Sequence, residues 1–138
     1  MLYPLKFQPI LKDKIWGGQK LQQILNKPTS STEAGESWEI SDVEGDTSVV
    51  SNGTMAGTSL KSLMELHTTD LLGHKNFQQF GTKFPLLIKF IDAKSDLSVQ
   101  LHPNDTLAKA RHNSFGKTEM WYVVQADPDS NLIVGFNQ

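Results

Sequence analysis

The sequence predicts a mainly β fold, an antiparallel barrel or sandwich with a small helical insertion. Three stretches of the second half carry that reading. Residues 84–93 (FPLLIKFIDA) form a nearly continuous apolar run, the pattern of a strand buried on both faces. Residues 97–102 (LSVQLH) alternate strictly between apolar and polar. Residues 118–125 (TEMWYVVQ) and 131–136 (NLIVGF) flank Ala126-Asp127-Pro128-Asp129-Ser130, which reads as a hairpin around a turn.

The other elements follow in chain order. Residues 3–7 alternate loosely, as an edge strand does. Trp16-Gly17-Gly18 reads as a turn, and a short helix over residues 20–25 stops before Pro28. Residues 36–41 (ESWEIS) and 47–51 (TSVVS) read as strands joined by a turn at 42–46. Between residues 58 and 66 the apolar positions Leu60, Leu63, Met64 and Leu66 follow helical spacing, with Thr58 or Ser59 placed to cap the helix. Residues 71–80 add a second short helix, so the insertion covers about 58–80. Pro103-Asn104-Asp105-Thr106 starts another short helix that runs through Arg111.

Length and composition narrow the function. With 138 residues, 38% of them hydrophobic, the chain can bury a core as one domain or as a domain with part of another. A net charge of −2 argues against a nucleic-acid surface. The absence of cysteine excludes disulfides, thiolate metal sites and cysteine catalysis. No apolar run approaches the ~20 residues of a membrane helix. The opening MLYPLKFQPILKDK has no signal-peptide layout, so a cytoplasmic location is expected. Gln138 falls at the end of a predicted strand, an edge that invites self-association; the chain reads as the N-terminal part of a longer protein.

The chemistry concentrates in two of the predicted strands. Side-chain alternation puts Ser98, Gln100 and His102 on one face of 97–102 and Leu97, Val99 and Leu101 on the other. Gln100 and His102 would then have Cα atoms ~6.8 Å apart. Both could reach one ion, since zinc takes nitrogen and oxygen ligands at ~2.0–2.2 Å. The plainer reading is a half-solvated sheet face. Glu119, flanked by Met120, Trp121 and Tyr122, shares a face with Lys117 and Trp121; a carboxylate in such company needs a partner, either a metal or a neighbouring cation. Lys89, inside LLIKFI, is either an edge residue reaching for solvent or a buried cation with an anionic partner. His67, His74 and His112 read as surface or helix-end residues. No P-loop, G-x-G-x-x-G, H-E-x-x-H or G-x-S-x-G motif is present.

Taken together and in order, Ile15-Trp16-Gly17-Gly18, the stretch GESWEIS from Gly35, FPLLIKFIDA from Phe84, LSVQLHPND from Leu97 and GKTEMWYV from Gly116 resemble the type I mannose-6-phosphate isomerases of the cupin superfamily, in their short bacterial form. The resemblance runs over nearly the whole chain. It implies a cupin (jelly-roll) barrel, here partial, and one Zn²⁺ held by Gln100, His102, Glu119 and a second histidine. That histidine and a later substrate-binding arginine have no counterpart in these 138 residues. It further implies exchange of mannose 6-phosphate and fructose 6-phosphate, with Lys89, Ser98 and Lys117 lining the substrate pocket. Lys117 is the best candidate for a cation aiding proton transfer, and Lys89 and Ser98 for phosphate contacts, with Lys89 a second candidate for proton transfer. A Gln/His/Glu set also accepts iron, cobalt or manganese. A non-catalytic metal- or sugar-binding cupin module is the alternative; a cupin oxygenase fits less well, because glutamine stands where a first histidine is expected.

Overall fold

The computed structural model describes residues 1–135. The chain divides into two compact units, Met1–Asp96 and Leu97–Gln138.

The first unit is built on a three-stranded antiparallel sheet. β1 (Ile10–Gly18) pairs with β2 (Ala34–Ile40), which pairs with β5 (Ile88–Ile91), in the order β1-β2-β5. Trp16-Gly17-Gly18 is thus the bulged end of β1 and not a free turn: Asp13 and Gly18 both face Ala34, so the intervening residues loop out. Glycine is required where the loop returns, because a Cβ on Gly17 would lie 2.2 Å from the Glu33 carbonyl oxygen. A short helix α1 (Lys20–Gln23) follows. Its first N–H, that of Lys20, donates to the buried Asp92 carboxylate just past β5 (2.7 Å). β3 (Asp42–Val43) and β4 (Asp46–Thr47) form a small hairpin. The expected strand at 3–7 contracts to one bridge, Phe7 with Val50, flanked by the Ser51 N–H donating to the Lys6 carbonyl (2.8 Å) and the Gln8 N–H donating to the Val49 carbonyl (2.9 Å).

The helical region lies where the apolar spacing predicts. α2 (Leu60–Leu72) is capped by Ser59, whose hydroxyl accepts from the Ser62 N–H (3.1 Å). Leu60, Leu63 and Met64 fall one turn apart and are all buried. Thr68 leaves helical geometry (φ 38°, ψ −110°) and kinks α2. Gly73 (φ 76°) then separates it from α3 (His74–Phe80). Leu60, Met64 and Leu72 form the core cluster, with Phe7, Ile40, Leu71, Phe77 and Phe84 packed around it. Burying each such side chain is worth about 1.5–3 kcal/mol.

Four β expectations are corrected. Residues 84–93 are not buried on both faces: β5 spans only Ile88–Ile91 and alternates between exposed and half-buried residues, because it is the edge of the described sheet. In the second unit, the expected strands at 97–102 and 118–125 are absent, as is the described part (131–135) of the one at 131–136. From Leu97 onward no described residue joins a strand or bridge. Extended backbone becomes a strand only against a partner backbone, and these residues have no such partner among the described residues. What survives of the hairpin is its turn, where the Ser130 N–H donates to the Asp127 carbonyl (3.2 Å). Phe136 and Gln138 lie outside the described residues. The fold is therefore mixed α/β with antiparallel sheets, and no closed barrel forms among the described residues. Nor is any described helix long and apolar enough to cross a membrane.

The second unit is organised by α4 (Asp105–His112), which begins where Pro103-Asn104 predicts. The Asn104 side chain accepts from the Leu107 N–H (3.0 Å), and Asp105 places a carboxylate in the positive first turn. Lys109, Arg111 and His112 occupy the last turn, and left-handed Asn113 (φ 49°) ends the helix.

Candidate active site

The helix ends bring His102 and Glu119 together although they are far apart in sequence. After Asn113 reverses the chain, the Gly116 N–H donates to the Asp105 carboxylate (2.8 Å) and the Lys117 N–H to the Pro103 carbonyl (3.2 Å). The return passes so close to the start of α4 that a Cβ on Gly116 would lie 2.6 Å from the Asp105 nitrogen. His102 precedes that helix start and Glu119 follows the return. His102 Nε2 consequently lies 3.1 Å from Glu119 Oε2, and Lys117 Nζ lies 3.2 Å from Glu119 Oε1. Trp121 adds a side-chain hydrogen bond to the same carboxylate. Lys117, Glu119 and Trp121 thus meet as alternation expects, without a strand to hold them.

Partial burial pushes the Glu119 carboxyl up. The Lys117 ammonium, the His102 ring and the Trp121 hydrogen bond outweigh that and hold it below the usual glutamate range. The carboxylate is therefore ionised and able to serve as an oxygen ligand. Two ligands at ~2.0–2.2 Å from a tetrahedral ion sit about 3.4 Å apart. The His102–Glu119 separation of 3.1 Å is that of a direct ion pair or hydrogen bond, shorter than that spacing.

Gln100 and Ser98 form a second small group, the Gln100 amide donating to the Ser98 hydroxyl (2.9 Å). Among the described residues, no three His, Cys, Asp or Glu side chains converge as a metal cluster. The structure thus joins His102, Glu119 and Lys117 in one cluster, and pairs Gln100 with Ser98 in another.

Lys89 belongs to the first unit, where it is held on β5 opposite Trp38 of β2. Of its two predicted states, the paired cation is the one observed: Lys89 Nζ lies 3.0 Å from Glu36 Oε1. The other Glu36 oxygen accepts from the Trp38 indole N–H (2.7 Å). Glu36 is only 7% exposed. Burial raises its pKa, but Trp38, Lys89 and the nearby Lys14 together bring it below the usual range. The sequence pattern leaves the anionic partner of Lys89 unnamed; the structure supplies it as Glu36. The available signal was the i, i+2 placement of Glu36 and Trp38 on a strand with no other acid on that face. Glu39 does act structurally, bonded to Lys27 (2.8 Å) and Ser37 (2.6 Å). Of the histidines set aside, His74 opens α3 and His112 lies in the last turn of α4, while His67 Nε2 on α2 is buried without a hydrogen-bond partner.

Residues 4–130 match the family described as phosphomannose isomerase type I, catalytic domain. The chain belongs to this family. Among curated relatives, it is 41% identical to mannose-6-phosphate isomerase ManA of Bacillus subtilis, over 97% of this chain and 41% of that protein. It is 39% identical to the probable mannose-6-phosphate isomerase GmuF of the same organism, over 98% of this chain and 42% of that one. The chain spans about two fifths of the length of these relatives. The solved structure of the Bacillus subtilis mannose 6-phosphate isomerase superposes with a TM-score of 0.74 at 34% identity, covering 83% of this chain and 35% of that one. A putative mannosephosphate isomerase from Archaeoglobus fulgidus gives 0.70 at 32% identity, covering 83% of this chain and 38% of that one.

Proposed function

We propose that this chain supplies part of a metal-dependent, cytoplasmic aldose–ketose isomerase that interconverts mannose 6-phosphate and fructose 6-phosphate. Membership of the phosphomannose isomerase family supports the reaction class. The observation that supports the site is the His102–Glu119–Lys117 cluster, in which an imidazole and an ionised carboxylate lie 3.1 Å apart. The cupin barrel belongs to the same proposal, as the frame in which the family completes the site.

Gln100, His102 and Glu119 are the residues that would hold Zn²⁺. When bound, the ion supplies Lewis-acid stabilisation of charge developing on the sugar oxygens. Glu119 is the only anionic member of that set, so the site stays net positive.

The exchange moves a proton between two adjacent carbons through an enediolate. It requires a base near those carbons and positive charge near both oxygens. Lys117 provides a fixed cation, anchored to Glu119 at 3.2 Å. Its side chain is half exposed and keeps donors available for a substrate oxygen. Ser98 offers a directional hydroxyl to the phosphate. In the first unit, Glu36 balances the Lys89 charge, so Lys89 keeps hydrogen-bond donors more than net charge.

The test is metal content, by elemental analysis, of the purified chain and of Gln100→Ala, His102→Ala and Glu119→Ala. Each variant is expected to lose at least half of the bound zinc. Equal zinc in all three would remove the site assignment. Assaying sugar-phosphate isomerisation by the same samples then tests the reaction.

A further inference from the structure

We propose that the cleft between α1 and residues 29–32, in the first unit, binds a neutral polyhydroxylated ligand, a monosaccharide or a sugar alcohol. The cleft shares no residue with the metal assignment or with the groups given roles in the isomerisation.

Gln19 and Gln22 form one wall, and Thr29, Ser30, Ser31 and Thr32 form the other. Both walls are fixed from behind. On the α1 side, Leu21 is buried and its carbonyl accepts from the Lys27 N–H (2.9 Å), which ties the loop to the helix. On the loop side, Ala34 is buried and the Glu33 carbonyl accepts from the Lys14 N–H (2.9 Å), which ties the loop to β1. Walls held in place beforehand lose less conformational entropy when a ligand enters. The cleft has a volume of about 250 Å³. At ~30 Å³ for each water molecule, that is the room of about eight waters, enough for one monosaccharide.

The lining selects the ligand class. Every lining side chain is an uncharged amide or alcohol, and no charged, aromatic or large aliphatic side chain joins them. An ionic ligand would lose hydration without gaining a counter-charge. An apolar ligand would leave the polar walls unpaired. Sugar hydroxyls suit them, because each hydroxyl both donates and accepts, as the amides and alcohols do. Three groups are already set as donors. Thr29 Oγ1 accepts from the Ser31 N–H (3.0 Å) and Ser31 Oγ from the Glu33 N–H (3.1 Å), so each keeps its O–H to give. Gln19 Oε1 accepts from the Gln23 amide (2.9 Å), which leaves the Gln19 amide N–H groups. The side chains of Gln22, Ser30 and Thr32 make no hydrogen bond among the described residues, so they serve as donors and acceptors alike.

The experiment titrates the isotope-labelled chain with D-mannose, D-mannitol and inorganic phosphate, without added metal, and follows backbone amides by NMR. At least one of the two neutral probes is expected to shift amides of 19–23 and 29–33 saturably, with a dissociation constant on the order of 1–10 mM for so small a ligand. Phosphate is expected to leave them unmoved. The triple variant Gln22→Met, Ser30→Ala, Thr32→Val removes groups that hold nothing in the fold, and should bind at least about tenfold more weakly. Gln22→Met alone should bind about threefold more weakly. Three results would overturn the proposal: no saturable shift of these amides with either neutral probe, saturation of the same amides by phosphate, or undiminished binding by both variants. Because neither metal nor turnover is read, failure here leaves the zinc assignment standing, and loss of that assignment leaves the cleft standing.

Discussion

Ser59 and Asn104 cap their helices in the same way, each accepting the N–H three residues on. The helices meet different fates. Behind Ser59, α2 buries Leu60, Leu63, Met64 and Leu72. Behind Asn104, α4 buries only Ala108. The same contrast holds for the extended segments. Residues 34–40 become a central strand because β1 and β5 bracket them, whereas 118–125 become no strand at all. Local grammar therefore starts helices in both units, and a core forms only where several elements bring apolar faces together.

The largest expected effect tests that contrast directly. Met64→Ala and Leu63→Ala should each destabilise the chain by about 2–5 kcal/mol, because fully buried side chains leave cavities. Met120→Ala should change stability by less than about 0.5 kcal/mol, since almost nothing is lost when an exposed side chain is shortened. Urea unfolding followed by circular dichroism measures all three. An equal loss from Met120→Ala would mean that the second unit has a core of its own.

How much could be read in advance follows the same line. The caps at Ser59 and Asn104, the short helix after Gly18 and the helices near 60–80 were legible, because each depends on residues within about one turn. The contact of Lys117 with Glu119 was legible from two-residue spacing, and the resemblance grouped His102 with Glu119. The strand β1 was not legible: Ile10–Gly18 bulges between Asp13 and Gly18, which breaks the alternation that betrays a strand. Burial of 84–93 was misread because apolar composition does not say whether a strand is central or at an edge. The Glu36 partner of Lys89 depends on the register between β2 and β5, a long-range fact that no local pattern encodes.

A smaller effect compares the two lysine–glutamate pairs. Lys89→Leu leaves Glu36 buried with one oxygen unpaired, and should cost about 1–3 kcal/mol. Lys117→Leu removes a half-exposed partner of Glu119, a pair worth no more than about 1 kcal/mol to folding. The Lys89→Leu, Glu36→Gln double variant should recover part of the loss, because a neutral amide tolerates the missing ammonium better than a carboxylate does. If the double variant is no more stable than Lys89→Leu, the loss comes from packing and not from the stranded charge.

The smallest expected effect separates the same pairs by pH and salt. Both carboxyls have folded pKa values below those of the unfolded chain, so between the two values the unfolded state binds more protons. Each therefore contributes stability that is fully present above the ordinary glutamate pKa of about 4.3, and is lost as pH falls through the lower folded value. Glu36 owes its low value to Trp38 and Lys89 in a nearly closed environment, after a burial penalty that works against it. Glu119 owes its own to a half-exposed lysine. At 1 M salt the screening length shrinks to about 3 Å, which weakens exposed pairs far more than buried ones. Carboxyl-carbon NMR titration should then find the Glu119 pKa moving up toward its ordinary value while Glu36 stays low. Equal movement of both would show that the Glu36–Lys89 pair is as open to solvent as the Glu119 cluster.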